Sequence, residues 1–363
     1  MPYLTYEFGN PHSNSHNYGY KALEAVERAR ESIANLIKAN PKEIYFTSGA
    51  TEANNLALKG ILEYYSKTGK NHLIVTKIEH KCVLSVAHYL KSKGFDVTFL
   101  PVENNGLINL SQLESAIKPT TALVSIIGVH NEIGVIQPLK EIGKLCREKG
   151  VLFHTDGAQA LGKININVDD FNIDLMRKPK VRISPQMHGG GQEKGIRSGT
   201  LSPFLCVGMG KACDILAQEM EEDNKRIKEL SSYLWNRLNS ALPKIYLNGD
   251  VNQRVPHNLN ISFAGVEGES LILAVNEVIA VSTGSACSSA SLEGSYVLKA
   301  LGIDEDLAHT SIRMGIGKTT THEDVEKAAN TIISSVEKLR KMSPIWEMIE
   351  QGIDLKTVKW HEH

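Results

Sequence analysis

The sequence predicts an α/β protein, with a large domain on a mostly parallel sheet and a smaller α+β domain at the C-terminal end. Three observations lead there. Short apolar strands alternate with amphipathic helices from residue 43 to residue 155. A long helical stretch from about 204 to 241 leads out of that region into a second set of elements. And 363 residues with 42% hydrophobic content are enough for one large core and a second, smaller one. The expected division is 1–222 for the large domain and 223–363 for the small one.

Taken in order, residues 20–39 place Ala22, Leu23, Val26, Ala29, Ile33, Leu36 and Ile37 at the spacing of an amphipathic helix. Glu43–Thr47 reads as a short strand. Ser48-Gly49-Ala50-Thr51-Glu52 then opens a helix with an N-cap signature. Strands are expected at 72–76, 96–100, 121–127 and 151–155, separated by helices at 81–93, 111–118 and 138–149. Such alternation calls for parallel strands covered on both faces. Beyond the helix at 204–241, segments 244–247, 257–263, 268–276, 279–282 and 320–341 supply the smaller domain. The chain has no internal repeat and no low-complexity linker.

Forty basic residues against forty-one acidic ones give a formal net charge of −1, with no long single-sign run. Nucleic acid and anionic membranes are therefore poor partners. The five cysteines form no CxxC pair and no disulfide-dense pattern, which suits a reducing compartment. No apolar run is long enough to span a bilayer. Met-Pro-Tyr-Leu-Thr-Tyr-Glu-Phe-Gly at the start carries neither a signal h-region nor an Arg/Ser-rich presequence. A soluble intracellular protein is expected.

Four polar groups follow four of the expected strands: Ser48–Thr51, His80, Asn131 and Asp156. Ligands of parallel α/β sheets bind at the carboxyl ends of the strands, so these groups are expected to share a pocket. Their chemistry fits pyridoxal phosphate (PLP). Gly49, Ala50 and Thr51 at a helix N-terminus offer N–H groups and a hydroxyl to a phosphate. Asp156 would keep a pyridine nitrogen protonated, Gln159 would donate to the phenolic oxygen, and His80 would stack on the ring or move a proton. Taken singly, Ser48 is equally well a helix cap, and His80, Asn131 and Asp156 equally well structural or turn residues. The glycine-rich run His188–Thr200 would lie against a phosphate or serve as a connector. Arg313 alternates with apolar neighbours, as on a half-buried strand, where it would anchor a substrate carboxylate or face solvent.

Residues 281–294 read Val-Ser-Thr-Gly-Ser-Ala-Cys-Ser-Ser-Ala-Ser-Leu-Glu-Gly. Side chains this small bury little surface, so Cys287 suits a mobile nucleophile that carries a group from substrate to acceptor. The other cysteines (Cys82, Cys146, Cys206 and Cys213) sit in apolar helical stretches and read as small core residues.

These residues resemble the cysteine desulfurases of the bacterial and mitochondrial iron–sulfur assembly type, in the class V aminotransferase family. The segments that carry the resemblance are Phe46–Asn55, Glu79–Val83, Asn131–Gly134, His154–Asp156, Gly189–Gln192, Arg197–Thr200 and Ser285–Glu293. Ser343–Met348, Ile353–Lys356 and Lys359-Trp360 belong to the same set, and the similarity runs from about residue 3 to the end. It implies a homodimeric PLP enzyme of fold type I, aspartate-aminotransferase-like, that releases sulfur from L-cysteine for iron–sulfur assembly and tRNA thiolation. By that resemblance His80 assists the ring, Asp156 pairs with its nitrogen and Gln159 with its phenolate. Ala50 and Thr51 hold the phosphate, while Thr200 reaches the phosphate of the second subunit. Asn131 lies at cofactor and substrate, and Arg313 binds the substrate carboxylate. Cys287 would attack the substrate sulfur, carry it as a persulfide, and share an iron–sulfur ligand position with a scaffold protein. The C-terminal tail bearing Trp360 would dock that scaffold and other sulfur acceptors, or else be a simple packed terminus. The implied setting is the cytoplasm in a bacterium, or the mitochondrial matrix or a related organelle in a eukaryote.

The sequence also departs from the family. After Asp174-Leu175-Met176 the family places a Ser-x-Ser-Gly-His-Lys segment, whose lysine carries the cofactor. Here Arg177-Lys178-Pro179-Lys180-Val181-Arg182 follows directly. An internal deletion near 176–177 is expected, together with loss of the N-terminal strand bearing Ala-Thr-Thr. His130 stands for the usual Asn and Gly157 for the usual Ala. Lys178 or Lys180 would have to replace the missing amine. Removing a strand from a packed sheet should also leave a cavity and unpaired backbone. The competing reading is a catalytically impaired form (a splice form, a degenerate copy or an artefact of the gene model) that acts only as dimer partner or scaffold. Action on another amino acid, such as selenocysteine, fits the Cys287 loop less well.

Overall fold

The computed structural model describes residues 2–175, 181–283 and 294–353. Lys178, Lys180, the junction at 176–177, Cys287 with its loop, and Trp360 lie outside the described residues. The chain divides into two compact units. The first takes in residues 1–102, 108–130 and 136–221; the second takes in 103–107, 131–135 and 222–363. Two short excursions from the first half, including Asn131, thus belong with the C-terminal unit, an assignment that differs from an uninterrupted 1–222 domain.

In the first unit, strands β1 (His72–Thr76), β2 (Asp96–Leu100), β3 (Thr121–Ser125) and β4 (Leu152–His154) form a wholly parallel sheet in the order β2-β1-β3-β4. β1 and β3 are buried along their whole length, as a sheet covered on both faces requires. Helices Ala50–Tyr65 and Lys81–Ser92 supply Leu58, Ile61, Leu62, Val83, Val86 and Leu90 to a core shared with Leu73, Val75 and Leu123. Each such side chain stabilises the fold by about 1.5–3 kcal/mol on burial. The first long helix runs Asn17–Ile37, capped at its start by His16 and stopped by Lys38 in the left-handed region, φ 59°.

Residues 43–47 correct the sequence reading: they are not a strand. Pro41–Glu43 is a 3₁₀ turn, and 44–47 run on outside any ladder. Two of their backbone groups are satisfied by a buried ion pair. Arg30 Nη1 donates to the Ile44 carbonyl at 2.6 Å, and Glu193 Oε2 accepts from the Phe46 N–H at 2.7 Å. Arg30 and Glu193 meet in a bidentate pair at 2.8 and 3.0 Å, with side chains only 8% and 4% exposed.

Among the described residues, the sheet gains a single bridge beyond β4, His154 to Leu175. A cavity of about 380 Å³ lies beside β4. Tyr45 and Thr47 line it together with His154, Asp156, Asp174 and Leu175. Strands lie about 4.8 Å apart, so a slot of this kind accommodates additional strand.

The second unit is built on an antiparallel sheet, β5 (Ile245–Leu247), β6 (Asn258–Phe263), β7 (Ser282–Thr283) and β8 (Ser311–Gly315), in the order β5-β6-β8-β7. Ile261, Phe263 and Ile312 pack with Leu234 and Leu238 of the long helix Pro203–Ala241 and with Val336 of helix His322–Arg340. No helix among the described residues is long and apolar enough to cross a membrane.

Breaking the buried pair should be costly. Glu193→Gln leaves buried Arg30 with only the half-exposed Glu27, at 3.2 Å, as a carboxylate partner and should lower unfolding free energy by about 3 kcal/mol in urea denaturation. A loss below about 1 kcal/mol for Glu193→Gln would contradict this role.

Candidate active site

Asp156 stands just beyond the carboxyl end of β4, the end of a parallel sheet at which ligands bind. It is 6% exposed. Its Oδ1 accepts from the Ala158 N–H at 2.9 Å and its Oδ2 from Asn54 Nδ2 at 2.8 Å. A carboxylate oxygen has two lone pairs, so each can still accept another donor. Asn54 Nδ2 also lies 3.2 Å from Cys82 Sγ, and His80 Nδ1 lies 3.0 Å from the same sulfur. A continuous polar chain therefore links His80, Cys82, Asn54 and Asp156. His80 caps helix Lys81–Ser92, its Nδ1 accepting from the Cys82 N–H at 3.2 Å. That bond places the ring proton on Nε2.

This arrangement corrects the reading of Cys82 as a plain core residue. It is half-buried inside the polar chain, and burial pushes its thiol pKa up. Cys146, Cys206 and Cys213 are buried, as expected of core residues. Asn54 went unremarked in the sequence, although its position one turn after Thr51 puts both on one helix face.

The helix Ala50–Tyr65 is capped by Gly49, not Ser48, and Gly49 has no side chain to satisfy the first-turn N–H groups. Ser48 contributes its own N–H, which Glu52 Oε2 accepts at 2.7 Å. Residues 48–51 are exposed, and no atom lies within 4 Å of where a Gly49 Cβ would stand. Uncapped N–H groups, the positive end of the helix and open space together make a phosphate cradle.

The glycine-rich run is tied down rather than a free connector. Arg197 Nε and Nη2 grip Glu52 at 2.7 and 3.2 Å, and Gln192 Oε1 accepts from the Gly199 N–H at 2.9 Å. Gly191 and Gly195 adopt φ of 78° and 79°, which explains glycine at those turns. Thr200 is exposed beside them. Gln159, three residues after Asp156, accepts from Lys163 Nζ at 2.5 Å.

In the second unit, Arg313 lies on β8. Its Nη1 donates to the Asn131 carbonyl at 3.1 Å and its Nε to Ser282 Oγ at 3.2 Å. Asn131 Oδ1 is buried with no hydrogen-bond partner among the described residues. An orphaned amide oxygen beside a guanidinium is a polar site suited to a small zwitterion. Next to it, buried Glu132 accepts from the Ser295 hydroxyl, and burial pushes its carboxyl pKa up to about 7.

The donor set fits PLP: an open helix N-terminus for phosphate, a buried carboxylate for the ring nitrogen and an amide for the phenolic oxygen. One contact at the cradle carries a pH signature. The Arg197 bond holds the Glu52 pKa down at about 2, against about 4.3 for the unfolded chain. A depressed folded pKa stabilises above the unfolded value and is lost as pH falls through the folded one. The urea midpoint of the parent protein should exceed that of Glu52→Gln near neutrality, the gap narrowing as pH falls from about 4 toward about 2. A gap that widens over that range would contradict the bridge.

Comparison with known proteins agrees with this geometry. The profile described as Aminotransferase class-V matches residues 1–179 and 180–328. The chain is 54% identical to "Cysteine desulfurase IscS" of Rickettsia africae and 53% identical to that of Rickettsia massiliae, each over all of this chain and 93% of the relative. The first alignment runs over 382 positions against 363 residues, so at least 19 positions of that relative face no residue here. The break in the profile match at 179/180 falls beside the gap expected from the sequence. Among solved structures, a "NifS-like protein" matches at TM-score 0.86 and 32% identity, covering 93% of this chain and 94% of that one. "SspA in complex with cysteine" matches at 0.76 and 35%, covering 88% and 94%. The chain belongs to the class V aminotransferase family as a cysteine desulfurase of the IscS type, a PLP-dependent group that mobilises sulfur from cysteine.

Proposed function

We infer that this chain itself takes sulfur from L-cysteine, leaving L-alanine and a persulfide on Cys287. The observation that carries this reading is the buried Asp156 carboxylate, fixed by Asn54 and the Ala158 N–H beside an uncapped helix N-terminus. PLP, when bound, supplies an electron sink that labilises the bonds at the substrate α-carbon. The chain's residues do the rest. Asp156 holds the ring nitrogen protonated, Ala50 and Thr51 take the phosphate, and Gln159 donates its amide to the phenolic oxygen. His80, with Nδ1 occupied by Cys82 and Nε2 facing outward from that bond, stacks on the ring and moves the proton. Arg313 binds the substrate carboxylate, and Asn131 Oδ1 accepts from its amino group. The Cys287 thiolate attacks the substrate sulfur: an S–S bond forms, the C–S bond breaks, and its electrons and a proton complete alanine. A relative's structure in complex with cysteine supports that substrate.

Exposed Tyr6, Phe8, Tyr18 and Tyr20 on the first unit give apolar surface for a second copy, with Thr200 at the partner's phosphate. The reading includes a scaffold protein as sulfur acceptor at the C-terminal tail, Cys287 sharing its iron–sulfur site, and an intracellular setting like that of the bacterial relatives. A second reading is favoured by the 19 unmatched positions: a chain without the usual lysine segment would hold PLP yet serve only as the partner of a complete subunit.

Titration of the purified chain with PLP, followed by fluorescence quenching, tests the pocket. Asp156→Asn should weaken binding by about 10–100-fold, the worth of a charge-assisted hydrogen bond. Equal affinity in the parent and the variant would overturn this placement of the ring.

A further inference from the structure

The stretch after β4 is coiled as a run of helical turns. The N–H groups of Ala160 and Leu161 bond back to Gly157, and that of Lys163 to Ala160, at 2.9–3.0 Å. Asp156 and Gln159 stand three residues apart, one turn. Gly162 then takes φ 75°, which breaks the turns, and Lys163 is brought back to Gln159 by the bond its amine makes. Lys163 Nζ donates to Gln159 Oε1 at 2.5 Å. An amide has one carbonyl oxygen and one NH₂ group. With its oxygen turned to Lys163, Gln159 is oriented so that its NH₂ group is the end left for the phenolic oxygen of the cofactor. That oxygen and the cofactor aldehyde sit on adjacent ring carbons. The amine that fixes the amide's orientation is therefore a neighbour of the aldehyde, on a side chain with four rotatable methylenes.

Resting on the PLP placement above, we propose that Lys163 is the amine that binds the cofactor covalently in this chain. Its nitrogen attacks the aldehyde carbon, a C–N bond forms, and the carbonyl oxygen leaves as water after proton transfer from nitrogen, giving a C=N bond with no redox change. The substrate amino group then displaces Lys163 from that carbon. Lys163 is half-buried, and burial pulls its pKa below the ordinary lysine value, which raises the fraction of neutral amine that such an attack requires.

The test is borohydride reduction of the PLP-loaded full chain, followed by peptide mass mapping, with PLP binding measured separately by equilibrium dialysis. The expected result is a pyridoxyl mass on the peptide containing Lys163, lost in Lys163→Met, while that variant still holds PLP non-covalently within about tenfold of a reduced affinity set by phosphate and ring contacts. A pyridoxyl group on Lys178, Lys180 or any other lysine overturns the proposal and leaves the pocket reading standing. Retained PLP with no reducible adduct does the same. Failure of the chain to retain PLP at all overturns both.

Discussion

The buried pair Arg30–Glu193 organises the approach to the site. In a complete parallel sheet, residues 44–47 would satisfy their backbone by pairing with a neighbour. Here the guanidinium takes the Ile44 carbonyl and the carboxylate takes the Phe46 N–H. Ion pairs are poor substitutes for apolar packing in general, because desolvation offsets much of the attraction. This one also satisfies backbone that would otherwise be unpaired, and it joins three segments: the first long helix, the approach to the phosphate cradle and the glycine-rich run. The exposed Gly49 cradle comes two residues after that stretch, and Arg197, four residues beyond Glu193, grips the helix at Glu52. The orientation of the cradle therefore follows from a contact between residues 163 positions apart.

Asn54 and Cys82 connect His80 to the buried Asp156 carboxylate. A cavity lies beside β4, and residues 44–47, which line part of it through Tyr45 and Thr47, run outside the ladders of the described residues. The polar groups described stand at helix N-termini and strand ends, which the parallel sheet positions.

Much of this was legible in the sequence because it is local. β1 and β2 occupy the segments that alternation and β-branched composition pick out, and Asp156 and His80 follow their strands as the parallel-sheet rule requires. Residues 43–47 were misread because a strand is defined by its partner, and apolar character does not say whether one exists. Strand 121–127 ends at Ser125, and two residues on, the Ile127 N–H turns to the side chain of Glu79 rather than to a neighbouring strand. Ser48 carries the residue type of a cap, yet the helix is capped one residue later, at Gly49, and Ser48 contributes only its backbone N–H, to Glu52. Asn54, Glu132 and the Arg30–Glu193 pair have meaning only through distant partners. Short helices such as Tyr296–Ala300 and Glu305–His309 span too few residues to show a period.

The direct test of the central claim is to give the PLP-loaded chain, free of any other desulfurase subunit, one round of L-cysteine. Thiols are then trapped by alkylation, the Cys287 peptide is weighed and alanine is counted. The account predicts one extra sulfur atom on Cys287 and one alanine per sulfur transferred. An alkylated Cys287 without added sulfur, and no alanine, would contradict it and leave the chain a partner subunit without chemistry of its own.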